Sequence, residues 1–136
     1  MSNLTITPSN PPELSSTTGY SQIVEVRAER LIFIAGQTAM DASGDIVGSG
    51  DFAAQVRQVF VNLEAALRSR GCSASNLVKL TVYLRNMSDL AIYRAARDRY
   101  FKSATPTAAP AITLVEVSRL YHPGLLIEIE AIAALD

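Results

Sequence analysis

Apolar side chains recur at two different spacings along the chain, and the change of spacing marks out its helices and strands. Over residues 52–67 they recur every three or four residues, which is the period of an amphipathic helix. Asp51 precedes this segment with a side chain suited to an N-cap, and Gly71 follows it where a left-handed residue ends a helix. Over residues 78–85 every second residue is apolar, which predicts a strand with one buried face.

A second helix and several further strands follow from the same pattern. Residues 89–101 predict a helix, with Ser88 as its cap. Short apolar runs at 23–26 and 31–35 are interpreted as a β-hairpin, and residues 4–6 offer a further strand. Two more apolar runs close the chain. The order β-β-α-β-α-β-β predicts an α+β domain in which two helices cover one face of a mixed sheet.

The composition limits what kind of protein this is. A chain of 136 residues predicts one domain spanning 1–136. Its net charge of −1 gives no surface-wide attraction for nucleic acid. No apolar run approaches the roughly 18 residues that a membrane span needs. The single cysteine, Cys72, cannot form an internal disulfide, and no secretory leader is recognised, so we expect a cytoplasmic protein.

Other chemical motifs are sparse. No cluster of histidine, cysteine and acidic residues has the spacing of metal ligands, and no glycine-rich phosphate loop is present, so neither a metal nor an organic cofactor is predicted. The second helix is basic, but Asp98 lies among its cations and can pair with Arg94 four residues earlier. We interpret this as a solvated face formed by Arg94, Arg97, Arg99 and Lys102.

Three segments stand out in order along the chain: Ile-Ala-Gly-Gln at 34–37, the alternating strand and turn at 77–89, and the two apolar runs at 109–131. Together they resemble the Rid (YjgF-like, reactive intermediate deaminase) family. The first resembles the end of the family's hairpin strand and the Ser-Gly-Gln that follows. Residues 77–89 resemble its Val-Lys-Thr-Thr-Val-Phe strand and the turn beyond. Residues 109–131 resemble its C-terminal signature of Pro-Ala-Arg, Val-Glu-Val and Ile-Glu-Ile-Glu-Ala. The resemblance implies a chorismate-mutase-like α+β fold, assembled as a homotrimer with small-molecule clefts between subunits.

The deaminating members of that family hydrolyse enamine or imine acids without a metal or organic cofactor. Ile112 stands where they place the arginine that binds the substrate carboxylate, and it offers neither charge nor side-chain donor. Ala35 stands in place of a family serine, so a hydroxyl donor is also missing. Gly36 keeps a backbone amide that can meet a ligand oxygen.

The resemblance implies roles for a few further residues. Glu130 matches the family glutamate at the cleft, where it would orient water or hold a proton during catalysis. Glu128 shares its strand face and is interpreted as solvated. Tyr20 stands where the family has a cleft-closing Gly-Pro-Tyr loop, and its phenol can bind an anion or stack on a ligand. Arg119 and His122 are cations that can compensate for Ile112, although both are also typical of an ordinary surface.

Three functions fit these residues. The first is hydrolytic deamination of an enamine or imine that lacks the usual carboxylate, with Glu130 activating water. The second is a catalytically silent ligand-sensing or chaperone-like trimer. RNA cleavage, attributed to some relatives, is the least favoured, because the net charge is −1 and there is one histidine. The partners expected are therefore a small molecule and further copies of the chain, without nucleic acid or membrane.

Overall fold

A computed structural model describes residues 2–136. Its strands and α-helices follow one another as β1 (Thr5–Ser9), β2 (Ile23–Arg27), β3 (Arg30–Gln37), α1 (Phe52–Arg68), β4 (Leu77–Leu84), α2 (Leu90–Lys102), β5 (Ala111–Glu116) and β6 (Ile127–Leu135). Short 3-10 turns at Ala74–Asn76 and Met87–Asp89 precede β4 and α2. None of the helices in this part of the chain is long and apolar enough to cross a membrane.

The main sheet has four strands in the order β3-β6-β4-β5. β4 runs parallel to β5 and antiparallel to β6, so the sheet is mixed, as the sequence predicts. Leu80, Val82 and Leu84 of β4 are fully buried on the side of the helices. They pack with the apolar stripe of α1, whose buried members include Val59 and Leu63, to form the core. The predicted α+β fold, with two helices on one sheet face, is confirmed.

The predicted hairpin between the second and third strands does not form. β2 instead pairs antiparallel with β1 in a separate two-stranded sheet, which confirms the strand suggested near residues 4–6. β3 takes its partner from the C-terminal strand β6. The link between β2 and β3 is held at the end of β6, where the Glu29 N–H donates to a carboxylate oxygen of Asp136 over 3.2 Å. The short polar link therefore passes the chain from one sheet to the other.

Both ends of α1 agree with the sequence prediction, but the N-terminal cap of α2 does not. The Asp51 carboxylate accepts from the Ala54 N–H at 3.1 Å and caps α1, as predicted. Gly71 has a φ of 73°, the left-handed conformation expected after this helix. Ser88 does not cap α2. It lies inside the preceding 3-10 turn, where its N–H and hydroxyl both donate to the side chain of Asn86.

Two amide side chains of α1 fix the loops that flank the sheet. Gln55 is fully buried and donates to the Gly124 carbonyl over 2.8 Å and to the Gly48 carbonyl over 3.2 Å. Its oxygen accepts from the Leu126 N–H at 2.9 Å. Asn62 donates to two carbonyls in the segment that follows β3. The helix thus sets the position of the turn that starts β6 and of the loop that leaves β3.

Candidate functional site

The sheet face opposite the helices is uncovered within one chain. Phe33, with 73% of its surface exposed, and Leu31, with 54%, lie on this open face. The register places Thr81 opposite Glu130 and Tyr83 opposite Glu128, and directly paired residues point to the same side of a sheet. Polar side chains therefore cluster beside an apolar strip on this open face.

Glu130 is exposed at the centre of this cluster. The Tyr83 hydroxyl donates to its carboxylate over 3.0 Å. That hydrogen bond, followed by burial and by the negative charges of Glu130 and Glu128, raises the pKa of Tyr83. Since the phenol stays protonated, it holds one oxygen of Glu130 in place while the carboxylate stays open to solvent.

The carboxyl of Glu128 is half-buried, in contrast to the solvated position expected from the sequence. Burial, and then the charge of Glu130, raises the pKa of Glu128. The Glu128 side chain lies directly over Gly36, where an added Cβ would come within 2.2 Å of a carboxylate oxygen. A side chain at position 36 would therefore displace the Glu128 carboxyl from its observed place, and Gly36 leaves room for it.

Ala35 and Gly36 form a bulge in β3. Ile34 pairs with Ala131 and Gln37 with Ile129, so these two residues together oppose Glu130 alone. Ala35 is exposed at this point. The structure thus brings three of the sequence-predicted site residues to one place: Glu130, Ala35 and Gly36.

Tyr20 and Ile112 lie elsewhere, at the β5 edge. Ile112 pairs with Leu80 and shares its face, the side of the sheet that packs on the helices. Glu130 points to the other side, from a strand two places away, about 10 Å across the sheet. Tyr20 and Ile112 line a cavity of about 240 Å³ with residues of α2. Within one chain, the predicted residues therefore form two groups on opposite faces.

Arg119 and His122, the two residues suggested to compensate for Ile112, belong to neither group. Arg119 is exposed in the loop between β5 and β6 and makes no hydrogen bond or ion pair within residues 2–136. His122 is exposed, and its Nδ1 accepts from the Gly124 N–H over 2.9 Å, as in a tight turn. The roles suggested for both residues stay predictions.

Arg97 is a residue that the sequence interpretation missed. We expected it on a solvated basic face, but only 4% of it is exposed. It pairs with its neighbour Asp98 over 2.9 Å, so the predicted Arg94–Asp98 pair is absent. The available signal was its spacing, since position 97 falls four residues after Tyr93 on the buried stripe of α2.

A larger cavity, of about 650 Å³, lies on the outer side of the two helices. It contains none of the sequence-predicted site residues. The Tyr100 hydroxyl there already donates to the Glu64 carboxylate over 2.5 Å, so that pair is satisfied internally. Within residues 2–136, no group of three His, Cys, Asp or Glu residues lies close enough together to hold a metal ion.

A protein-family model, several known protein sequences and solved crystal structures are all similar to this chain. The family model for endoribonuclease L-PSP matches residues 11–135. A RutC family protein of Synechocystis sp. is 41% identical over 81% of this chain and 82% of its own length. The human 2-iminobutanoate/2-iminopropanoate deaminase is 38% identical, over 84% and 78% respectively. The crystal structure of YyfB, a Rid family protein of unknown function from Yersinia pestis, superposes with a TM-score of 0.88 at 35% identity, covering 96% of this chain and 98% of that one. The chain therefore belongs to the Rid (YjgF-like) family, which the endoribonuclease L-PSP model describes.

Proposed function

We propose that this protein binds a small metabolite at the open sheet face and hydrolyses an imine or enamine there. The observation that carries the proposal is the pairing of two carboxyls in unequal environments, Glu128 half-buried and Glu130 exposed. Two neighbouring acids in unequal environments are suited to divide acid and base roles between them. The relatives named 2-iminobutanoate/2-iminopropanoate deaminase support this reaction class.

The proposed chemistry divides the protons between these two groups. Glu130, exposed and held by Tyr83, accepts a proton from water as the water oxygen attacks the imine carbon. Glu128, with its raised pKa, donates a proton to the nitrogen. In the collapse of the resulting carbinolamine, Glu130 returns its proton to the amine nitrogen and Glu128 takes the proton of the hydroxyl group. The carbon–nitrogen bond breaks, ammonia and a carbonyl product leave, and both carboxyls return to their starting protonation states. This sequence consumes one water and requires no redox partner, which fits a cofactor-independent hydrolase.

A second subunit completes the site in this proposal. Phe33 and Leu31 expose apolar surface beside the acidic cluster, and such a face is normally covered by another chain. Cyclic assembly as a homotrimer would cover all three faces equivalently and leave clefts between subunits. The ligand would then lie between the Glu130 of one chain and residues of the next.

The substrate class is narrowed by Ile112. Position 112 lacks the arginine that binds the substrate carboxylate in deaminating relatives, so the proposed substrate is one that does not need this contact. The same substitution supports a second candidate function, a catalytically silent ligand-binding trimer. RNA cleavage has no support from the geometry, since the ring nitrogen Nδ1 of His122 is already used in a turn.

The decisive test is ammonia release from a panel of enzymatically generated imines with and without a carboxylate. We expect acceleration by the wild type with at least one substrate, and about a hundredfold lower rate for Glu130→Gln, as is typical for removal of a general base. Glu25→Gln, an exposed glutamate of β2, is the matched control and should change nothing. Ligand binding without turnover of any imine would instead identify the silent trimer.

A further inference from the structure

A groove runs between α1 and α2 on the outer surface of the two helices. It consists of two adjoining cavities, one of about 650 Å³ and one of about 330 Å³. The smaller cavity reaches Ala53 near the start of α1 and the larger reaches Arg68 at its end, so the groove follows almost the whole helix. The groove lies on the side of the domain away from the open sheet face, so a trimer closed through that face leaves it exposed.

The floor of the groove is apolar. The rings of Phe60 and Tyr100 pack together in the larger cavity, with their centres 4.9 Å apart. Val61, of which 58% is exposed, lines the same cavity, and Ile92, of which 43% is exposed, lines the smaller one. Large apolar side chains exposed along a concave surface are typical of a site that receives apolar groups of another molecule.

Two arginines without ion-pair partners lie where the cavities join. Arg57 of α1 and Arg99 of α2 are exposed and line both cavities, and neither makes an ion pair within residues 2–136. The carboxylate of Glu64, which also lines the groove, is already occupied. One of its oxygens accepts from Arg68 over 3.1 Å, and the other accepts from the Tyr100 hydroxyl over 2.5 Å. Arg57 and Arg99 therefore offer two uncompensated positive charges to an anionic partner.

The order of these features along α1 indicates what the groove fits. Ala53 lines the smaller cavity and Val61 the larger, and Arg57 lies four residues from each. At about 1.5 Å per residue, the two apolar positions are about 12 Å apart along the helix. A helix lying along the groove would match them with apolar side chains seven or eight residues apart and an acidic side chain between these.

We propose that this groove binds an amphipathic, acidic helix of a partner protein. Its apolar side chains enter the two cavities, and an acidic side chain between them pairs with Arg57 and Arg99. Single-stranded RNA fits less well, because its closely spaced phosphates call for a row of cations rather than two cations flanked by apolar cavities. The inference goes beyond the proposed function and does not depend on it, because the groove and the acidic cluster of the sheet lie on opposite sides of the domain.

The test uses a synthetic fluorescein-labelled peptide, alanine-based and about 16 residues long, with leucines about seven residues apart and two glutamates between them. Fluorescence anisotropy measures its binding to the purified protein. We expect Val61→Glu to weaken binding at least about 10-fold, because an apolar contact is lost and a like charge is introduced. Arg57→Gln and Arg99→Gln should each weaken it about 2-fold to 5-fold, as is typical of exposed ion pairs. Lys102→Gln removes the same charge from α2 outside both cavities and is the matched control, which should bind like the wild type.

A second peptide, with lysines in place of the glutamates, separates charge complementarity from simple hydrophobic attraction. It should bind at least about 10-fold more weakly than the acidic peptide. Four results would overturn the inference: no binding of the acidic peptide to the wild type, equal binding of the two peptides, equal weakening by Arg57→Gln and Lys102→Gln, or displacement of the peptide by a single-stranded RNA oligonucleotide that binds more tightly.

Thermal unfolding of each variant separates misfolding from loss of contact. Arg57 and Arg99 are exposed, so their glutamine variants should keep the wild-type melting temperature, and they decide the question if Val61→Glu does not fold. Arg57→Gln should also keep the wild-type rate of imine hydrolysis, and Glu130→Gln should bind the peptide like the wild type. Failure of this inference and failure of the proposed function are therefore distinguishable.

Discussion

Replacing the buried amide Gln55 by leucine tests how the fold holds the strand that carries the acidic cluster. Gln55→Leu keeps the size of the side chain but removes three hydrogen bonds, to Gly48, Gly124 and Leu126. At about 1 kcal/mol each, with about 2 kcal/mol for the backbone groups left without partners, the loss is roughly 5 kcal/mol. Burial of the leucine side chain returns about 2 kcal/mol. The expected net loss is therefore about 3 kcal/mol, which lowers the melting temperature of a domain of this size by roughly 10 °C.

The assay is thermal unfolding followed by circular dichroism, at one fixed protein concentration so that assembly contributes equally. Gln58→Leu is the matched control, because Gln58 lies on the same helix and its amide donates only to Asn62. The control should fall by less than about 1 kcal/mol. A Gln55→Leu variant as stable as the wild type would show that the turn before β6 is held by its own geometry, and that α1 does not position Glu128 and Glu130 through this amide.

Three further predictions concern separate parts of the molecule. Glu128→Gln should raise the melting temperature at neutral pH and have no effect below pH 4.5, the usual pKa of the group. The reason is that a carboxyl whose pKa is raised in the folded protein contributes stability at low pH, and this stability is lost as the pH rises through the raised pKa. Melting curves over a pH series measure this, and an effect independent of pH would contradict it. Gly19→Ala should destabilise the fold by about 1 to 3 kcal/mol, because φ at Gly19 is 83° and the added methyl would collide with Arg97. Denaturant unfolding measures this loss, and Gly44→Ala, which has a similar φ but open space around it, should destabilise the fold less. Light scattering should give three times the chain mass of 14.6 kDa for the wild type and a smaller species for Phe33→Lys, whereas a wild-type monomer would refute the proposed intersubunit cleft.

Elements whose burial depends on local periodicity could be predicted from the sequence. The stripe of α1 and the alternation of β4 each define one apolar face, and the observed elements follow them closely. The partner of β2 could not be predicted in this way, since a strand pattern does not specify its neighbour. The five residues of β2 pair with residues 5–9 of β1, and a long loop separates the two strands in the sequence. The predicted Ser88 cap was wrong because the side chain of Asn86 binds the N–H and hydroxyl of Ser88 and includes Ser88 in the 3-10 turn before α2.

The division of the candidate site into two groups depends on long-range register. Ile112 and Glu130 both fall in the C-terminal part of the sequence, but Ile112 pairs with Leu80 and Glu130 with Thr81. These neighbours on β4 point to opposite faces, so a single residue of register decides on which side each side chain lies. The burial of Arg97 likewise depends on a carbonyl of a loop 79 residues earlier. Neither the strand register nor this hydrogen bond can be predicted from the residues nearby in the sequence.

The contact between Gly19 and Arg97 has a consequence for how such sequences can diverge. The guanidinium occupies the space that any side chain at position 19 would need. A side chain at position 19 therefore requires the Arg97 guanidinium to move and strains a backbone with a φ of 83°. Relatives that carry proline at the position of Gly19 are expected to have a different residue at the position of Arg97. We therefore expect that a loop with a side chain at this position can be grafted from a relative only together with the helix that faces it.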